Sequence, residues 1–275
     1  MRAMCTIVVL HDVLPEHPLA IVANRDEWHA RASSAPRVLH EHPRAIGGVD
    51  LVSGGTWMGA NALGLFVGLT NQRGAEAPDR TRRSRGDVVL RALALRDPSE
   101  VASFLRTIDA RAYNAFNLIF GVPGDVRVAY ARDDRAAIDI EPVAPGVIVL
   151  PNDRLGSPEF PKIARAEART RDAMCASQIE PALLRVLADH DRPDDAAIPE
   201  TTSRFPREVL RELQALCIHL PEYGTVSSTA ILYGADRHIA RYLFAPGPPC
   251  RVAFDDVTSL LVGAEPRSNL DSSAE

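Results

Sequence analysis

The feature that most constrains this chain is a pair of short strands that are apolar on both faces. Cys5-Thr6-Ile7-Val8-Val9-Leu10 carries apolar side chains at odd and even positions alike, and Leu19 to Ala23 repeats the pattern. Successive strand residues point to opposite faces, so such a strand has to be covered twice and belongs between two layers. The loop from His11 to Pro18 joins the two as a hairpin. Asn24-Arg25-Asp26-Glu27 then reads as a charged stretch at the strand end.

Further along, Ser53-Gly54-Gly55 leads into Thr56-Trp57-Met58-Gly59, and a turn at Asn61-Ala62-Leu63-Gly64 precedes a return strand from Leu65 to Thr70. Helical patterning takes over next. Ser84 can cap a helix from about Gly86 to Leu95, and Pro98 can start a second one. Strands resume at Asn117 to Phe120, Val126 to Ala131 and Val147 to Leu150. A helical stretch from Pro161 to Ala188, interrupted near Pro181, and another from Pro206 to His219 follow. Ser228 to Tyr233, His238 to Phe244 and Arg251 to Phe254 are the closing strands. Hairpins with inserted helices predict α+β layers rather than alternating βαβ units. No repeat and no composition shift divides the chain, so residues 1–262 read as one domain, Asp189 to Arg204 as a surface loop, and 263–275 as a polar tail.

Of the 275 residues 46% are hydrophobic, enough for a substantial core, and the net charge of -5 argues against generic nucleic-acid binding. Of the 31 basic side chains only Lys162 is a lysine, a bias that reads as high-GC codon usage. No apolar run approaches membrane-spanning length and no signal peptide frames Thr6 to Leu10, so the expectation is a cytoplasmic protein. The cysteines Cys5, Cys175, Cys217 and Cys250 are far apart in sequence and form no C-x-x-C pair, which speaks against a disulfide framework or a zinc site. His40 and His42 form an H-x-H pair without further ligands at metal-like spacing, so no metal is expected. Gly47-Gly48 and Gly54-Gly55 match no phosphate-binding loop. The basic run Arg80 to Arg85 is either a solvated face or a contact for an anionic ligand.

Several residues can carry chemistry, each with a plainer alternative. Met4 precedes Cys5. If translation begins at Met4 and that methionine is removed, Cys5 carries a thiol nucleophile and an α-amine, whose reference pKa of about 7.7–8.0 suits a general base. The plainer reading is a packed, inert strand cysteine. Arg25 can stabilise a thiolate and Asp26 can orient an α-ammonium, or the two form a surface ion pair. Asn71, at the end of the strand from Leu65 to Thr70, and Asn152, after Val147 to Leu150, can donate to an oxyanion or simply close turns.

Together these pieces resemble a known family. Met4-Cys5-Thr6, Asn24-Arg25-Asp26-Glu27, Gly54-Gly55-Thr56-Trp57-Met58-Gly59, Leu69-Thr70-Asn71, Ser84-Arg85-Gly86, Tyr113 to Leu118 and Tyr223-Gly224-Thr225 occur in the order of the NRDE-motif family, which includes the transport and Golgi organization two proteins. The resemblance runs from Cys5 to about Asp255. It implies the four-layer αββα sandwich of the N-terminal nucleophile hydrolases. Cysteine members of that group, among them bile-salt hydrolases and penicillin V acylases, cut non-peptide amide bonds. By similarity Cys5 is the nucleophile, Arg25 and Asp26 take the basic and acidic positions, and Asn71 and Asn152 position the oxyanion or amine. Val226 departs from the pattern, because arginine usually follows the Tyr-Gly-Thr motif.

Two functions follow from the resemblance. One is a cysteine amidohydrolase or acyltransferase acting on a small acyl amide, with no cofactor required for catalysis. The other is a non-catalytic carrier or chaperone for haem or an acyl-CoA-like or lipid ligand, which predicts a deep apolar pocket. A protein-interaction role in trafficking is a third.

Overall fold

The structure, a computed structural model, describes residues 5–72, 78–157, 160–198 and 205–262. The strands fall into two antiparallel sheets. The first hairpin, β1 (Thr6–His11) and β2 (Leu19–Trp28), belongs to the first sheet. The second sheet then begins with β3 (Ser33–Glu41), β4 (Arg44–Asp50), β5 (Met58–Asn61) and β6 (Phe66–Asn71). Helices α1 (Arg85–Ala92) and α2 (Pro98–Arg106) follow. Next come β7 (Phe116–Val122), β8 (Asp125–Ala131), β9 (Asp139–Pro142) and β10 (Gly146–Leu150). Helices α3 (Pro161–Met174), α4 (Ile179–Leu187) and α5 (Arg207–Glu212) precede β11 (Tyr223–Tyr233), β12 (Ile239–Ala245) and β13 (Asp255–Asp256). The first sheet has the order β10-β1-β2-β11-β12-β13 and the second runs β3-β4-β5-β6-β7-β8-β9.

The doubly apolar strands are covered as their pattern demands. Ile7 and Val9 of β1 and Leu19 and Ile21 of β2 pack against Ile46, Met58, Phe66 and Ile119 of the other sheet. The alternate residues Val8, Leu10, Ala20 and Val22 pack against Ile163 and Ala166 of α3 and Leu183 and Val186 of α4. On the far side, Val67, Leu69, Leu118 and Phe120 are covered by Val88 and Val89 of α1 and Val101 and Leu105 of α2. The layers are therefore helix, sheet, sheet, helix. Burying one such side chain is worth about 1.5–3 kcal/mol, so both faces of the β1–β2 hairpin contribute. Between the sheets the spacing is tight, since a Cβ on Gly68 of β6 would lie 3.0 Å from Ile7 Cδ1.

Several boundaries differ from expectation. β2 continues through Glu27 to Trp28 because Tyr223 to Ser227 of β11 pairs with it, so Asn24 to Glu27 lie inside a strand and not in a loop at its end. Ser84 sits at the N-cap of α1, but its side chain makes no capping hydrogen bond; in α2, Asp97 caps with both Ser99 and Glu100 amides. The break expected near Pro181 falls earlier, between Met174 and Ile179, which leaves Pro181 in the first turn of α4. The helix expected from Pro206 to His219 stops at Glu212, because Ile218 is tied to β11: its N–H donates to Thr225 Oγ1 and its carbonyl accepts from Thr225 N. Arg251 and Val252 close a turn on the Pro248 carbonyl, so the last strand is confined to Asp255–Asp256. Asp189 is not simply surface loop, since its carbonyl accepts from Cys217 N. The polar tail expected at 263–275 lies outside the described residues.

Candidate active site at the start of the first strand

Strand alternation sorts the charged motif of β2. Asn24 and Asp26 follow Ala20 and Val22 onto the helix side, whereas Arg25 and Glu27 follow Leu19, Ile21 and Ala23 toward the second sheet. Asn24 is buried, and its Nδ2 donates to the carbonyls of Leu187 and Leu216, both at 2.8 Å. Its Oδ1 accepts from Ser228 Oγ at 2.6 Å. Asn24 thereby ties β2 to the helix layer and to β11.

On the other face lies a cavity of about 510 Å³ lined by Cys5, Arg25, Glu27, Trp57, Asn71 and Arg85, among others. Its wall holds six arginines, Arg25, Arg31, Arg80, Arg82, Arg83 and Arg85, against three acidic residues, Glu27, Asp50 and Asp79. Arg25 is 5% exposed; its guanidinium lies 4.5 Å from the Trp57 ring centroid and donates to Ser33 Oγ at 3.2 Å. Glu27 Oε2 is 4.0 Å from Arg25 Nη2 and 3.7 Å from Arg31 Nε. Arg31 in turn pairs with Asp50 at 2.6 Å. Arg85 opens α1, and burial together with the nearby Arg31 pulls its guanidinium down to about 10, while Cys5 and Glu27 act the other way.

The two glycine motifs meet at this wall. Gly55 has φ +116, and a Cβ there would lie 2.7 Å from the Gly86 carbonyl carbon. Thr56 N donates to Gly86 O at 3.3 Å. Glycine at both positions lets the Gly54-Gly55-Thr56-Trp57 loop press against the start of α1, which brings Trp57 and Arg85 to one cavity.

Cys5 immediately precedes β1, on the cavity side of the strand with Ile7 and Val9, and its Sγ is 3.9 Å from the Asp26 carbonyl oxygen. Burial pushes the thiol up to about 12, with the Asp26 charge adding to the rise; the opposing effect of Arg25 is smaller. The expected thiolate stabilisation by Arg25 is thus outweighed in this state of the chain.

Asp26 is buried behind the cavity. Its Oδ1 accepts from Thr225 Oγ1 at 2.6 Å, while its buried Oδ2 has no hydrogen bond among the described residues. Burial raises its carboxyl to about 6 against the pull of Lys162 and Thr225. Lys162, the lone lysine, is fully buried on α3; burial lowers it, and the charges of Asp26 and Cys5 oppose that. Sequence reasoning passed over Lys162. A single lysine among so many arginines was the available signal, since a compact ammonium fits a closed site that a guanidinium fork does not.

Asn71 lines the cavity at the end of β6, and its carbonyl accepts from Asn152 Nδ2 at 2.7 Å. Cys5, Arg25 and Asn71 line the same cavity. Asp26 lies behind Cys5, and Asn152, which is buried, reaches the site through Asn71. Thr70 and Asn117 hold the same turn, through Pro151 O at 2.8 Å and Asp153 O at 2.9 Å. Val226 is a half-buried bulge residue between Thr225, which pairs with Asp26, and Ser227, which pairs with Arg25. The remaining histidine candidate is accounted for on β3, where a ring nitrogen of His40 contacts Leu90 O at 2.8 Å.

No helix among the described residues is long and apolar enough to cross a membrane. Among solved structures, the chain resembles the Caenorhabditis elegans ortholog of N-acylethanolamine-hydrolyzing acid amidase, with TM-score 0.53 and 14% identity, covering 85% of this chain and 97% of that one. A mutant of the conjugated bile acid hydrolase from Clostridium perfringens gives TM-score 0.52 at 12% identity and covers 94% of each chain. At such identity the likeness concerns the fold, which is that of the N-terminal nucleophile hydrolases. Transport and Golgi organization protein 2 homolog from Bos taurus is 33% identical over 261 residues, 86% of this chain and 91% of the relative. The Homo sapiens homolog is 30% identical over 260 residues with the same coverage. With residues 4–242 matching the family description as well, the chain belongs to the Transport and Golgi organisation 2 family.

Proposed function

We propose that the protein is a cysteine amidohydrolase or acyltransferase whose nucleophile is Cys5 and whose substrate is a small acyl amide bearing negative charge. The observation that carries this reading is the buried Asp26 Oδ2, an acceptor directly behind Cys5 that has no hydrogen-bond donor among the described residues. A free α-ammonium on Cys5, released by removal of the residues ahead of it, is the donor that would satisfy it. The same amine, once neutral, takes the thiol proton as Sγ attacks the carbonyl. Without that base the thiol stays protonated near neutral pH, in keeping with a value of about 12. Asn71 would donate to the oxyanion, and Asn152 holds Asn71 in place through its carbonyl. Arg25 and Arg85 would bind the anionic part of the substrate. The amidase and hydrolase that share this fold lend the reaction class.

The test uses protein beginning at Cys5 and a panel of N-acyl amides with and without a carboxylate or sulfonate. Turnover should favour the anionic members. Cys5→Ala should abolish it while leaving ligand affinity within a few fold, because the thiol acts in the transition state. N-terminal sequencing of the protein from its native host should begin at Cys5. A terminus at Met1 overturns the mechanism, and a broad panel without turnover overturns the reaction.

A carrier reading draws on a different observation. Val226 puts an apolar side chain where the family usually has arginine, at a bulge between the partners of Arg25 and Asp26. A haem or acyl-CoA-like ligand held by the arginines would then bind without turnover. The arginine-rich wall suits the anionic groups of such a ligand, but it is not the deep apolar pocket that a carrier predicts.

A further inference from the structure

A second cluster of reactive side chains lies outside the Cys5 cavity. His190 follows α4, Cys217 and His219 lie between α5 and β11, and Cys250 follows β12. One ligand atom from each comes within 4.8 Å of all the others. Cys217 Sγ is 3.7 Å from Cys250 Sγ and 3.6 Å from His219 Nε2, and His219 Nε2 is 3.2 Å from Cys250 Sγ. The fold brings Cys217 and Cys250, which are far apart in sequence, side by side.

We propose that His190, Cys217, His219 and Cys250 form a four-ligand site for a thiophilic divalent cation, zinc in the first instance. A tetrahedral zinc with Zn–S of about 2.3 Å and Zn–N of about 2.0–2.1 Å has S···S edges of about 3.8 Å and S···N edges of about 3.6 Å. The Cys217–Cys250 and Cys217–His219 edges match these lengths to within about 0.1 Å, and the His219–Cys250 edge is about 0.4 Å short of its value. His190 and Cys250 are the exposed ligands, and His190, the one outside the three close contacts, has the furthest to move. Its Nδ1 lies 3.2 Å from Cys217 O, which holds the ring beside the cluster, and the His190 and His219 rings are 5.0 Å apart. A proton on Nδ1 in that contact leaves the lone pair on Nε2, the arrangement metal-binding histidines use. No carboxylate belongs to the set, and two sulfurs with two imidazoles favour zinc over magnesium or calcium.

Four protein ligands leave no open position, so the metal acts as a clamp rather than a Lewis acid. It joins three segments that are remote in sequence. Between Cys217 and His219, Ile218 N donates to Thr225 Oγ1 at 3.0 Å, and Thr225 Oγ1 donates to Asp26 Oδ1 at 2.6 Å. The clamp therefore braces the segment that holds the hydroxyl on Asp26, and it stands whether or not Cys5 is a nucleophile.

The test is metal content of the full chain, expressed in zinc-supplemented medium and desalted under reducing conditions. About one equivalent of zinc per chain is expected, and Co²⁺ exchange should give the visible bands and the near-ultraviolet thiolate-to-cobalt band of a tetrahedral thiolate site. Cys250→Ser and His219→Gln should each weaken zinc retention against a chromophoric chelator at least about tenfold. Cys175→Ser, at an exposed cysteine outside the cluster, should leave it unchanged. Wild-type cobalt spectra need no variant, so they decide the matter even if a substituted chain fails to fold. Sub-stoichiometric zinc, an octahedral cobalt spectrum, equal retention by Cys250→Ser, or a Cys217–Cys250 disulfide in freshly isolated reduced-buffer protein each overturn the proposal.

Discussion

The two faces of β2 divide four consecutive residues between structure and chemistry. Asn24 and Asp26 face the helix layer, where every bond they make is to the protein itself: Leu187, Leu216, Ser228 and Thr225. Arg25 and Glu27 face the cavity, where Arg25 stacks on Trp57 and the contacts to Ser33 and between the charges are longer, at 3.2 to 4.0 Å. A motif that reads as one charged cluster is two pairs with different tasks, separated by a period of two. On the helix side Asn24 has both ends of its amide satisfied, whereas Asp26 has one oxygen satisfied by Thr225 and its Oδ2 open among the described residues.

The largest effect should come from breaking the helix-side pair. Asn24→Ala strands two buried carbonyls and one buried hydroxyl, at about 1–3 kcal/mol for each group left unsatisfied, so urea unfolding should show a loss of several kcal/mol. Arg25→Ala should cost about 1–2 kcal/mol through its lost stacking on Trp57, yet remove binding of an anionic ligand. Equal losses of stability for the two would end the distinction between the faces.

Asp26 gives the next effect, and its sign is set by the raised carboxyl. The folded chain holds the proton more tightly than the unfolded one, so the Asp26 contribution is intact below about pH 4. It falls as pH rises toward about 6, where the folded carboxyl ionises. The rise from 3.8 to about 6 corresponds to about 3 kcal/mol. The difference in unfolding free energy between wild type and Asp26→Asn should therefore change across that window and be flat below it. A difference that is constant from pH 4 to 7 would show that Asp26 is not held near 6.

A smaller effect is expected in thiol chemistry. Asp26 is the second cause of the raised Cys5 thiol after burial. Asp26→Asn should speed alkylation of Cys5 at pH 8 by about three- to tenfold through a larger thiolate fraction, with the exposed Cys175 as internal reference. The smallest change belongs to Glu27→Gln. Its ion pairs are long, so stability should shift by no more than about 0.5 kcal/mol, while an anionic probe should bind the cavity more tightly. Competition with a fluorescent anionic ligand measures it, and weaker binding would place Glu27 on the ligand rather than against it.

Much of the fold was legible in the residues. Doubly apolar strands demanded cover on both faces, and the hairpin of β1 and β2 followed from their spacing. The length of β2 was not legible, because Asn24 to Glu27 are poor strand formers that only pairing with β11 keeps extended. Cys5, Arg25 and Asn71 were named together through the family resemblance, and all three line the cavity. Lys162 was not, because a single lysine carries no periodicity, and neither was the metal-type cluster. Cys217-Ile218-His219 was its one local trace, and the other two ligands come from segments that only the fold brings beside it.

By itself, the sequence determined that β1 and β2 are covered on both faces, because apolar residues at successive strand positions need burial on both sides; the four-layer sandwich was what the family resemblance implied. It also determined which residues could react, since a thiol, a guanidinium or a carboxylate is a property of the side chain. Only the tertiary structure decided how they behave. Burial raises both Cys5 and Asp26, and the groups that pull Asp26 back down, Lys162 and Thr225, come from distant segments of the chain. Proximity and dielectric depend on which segments pack together, and no span of sequence shorter than the whole fold specifies that.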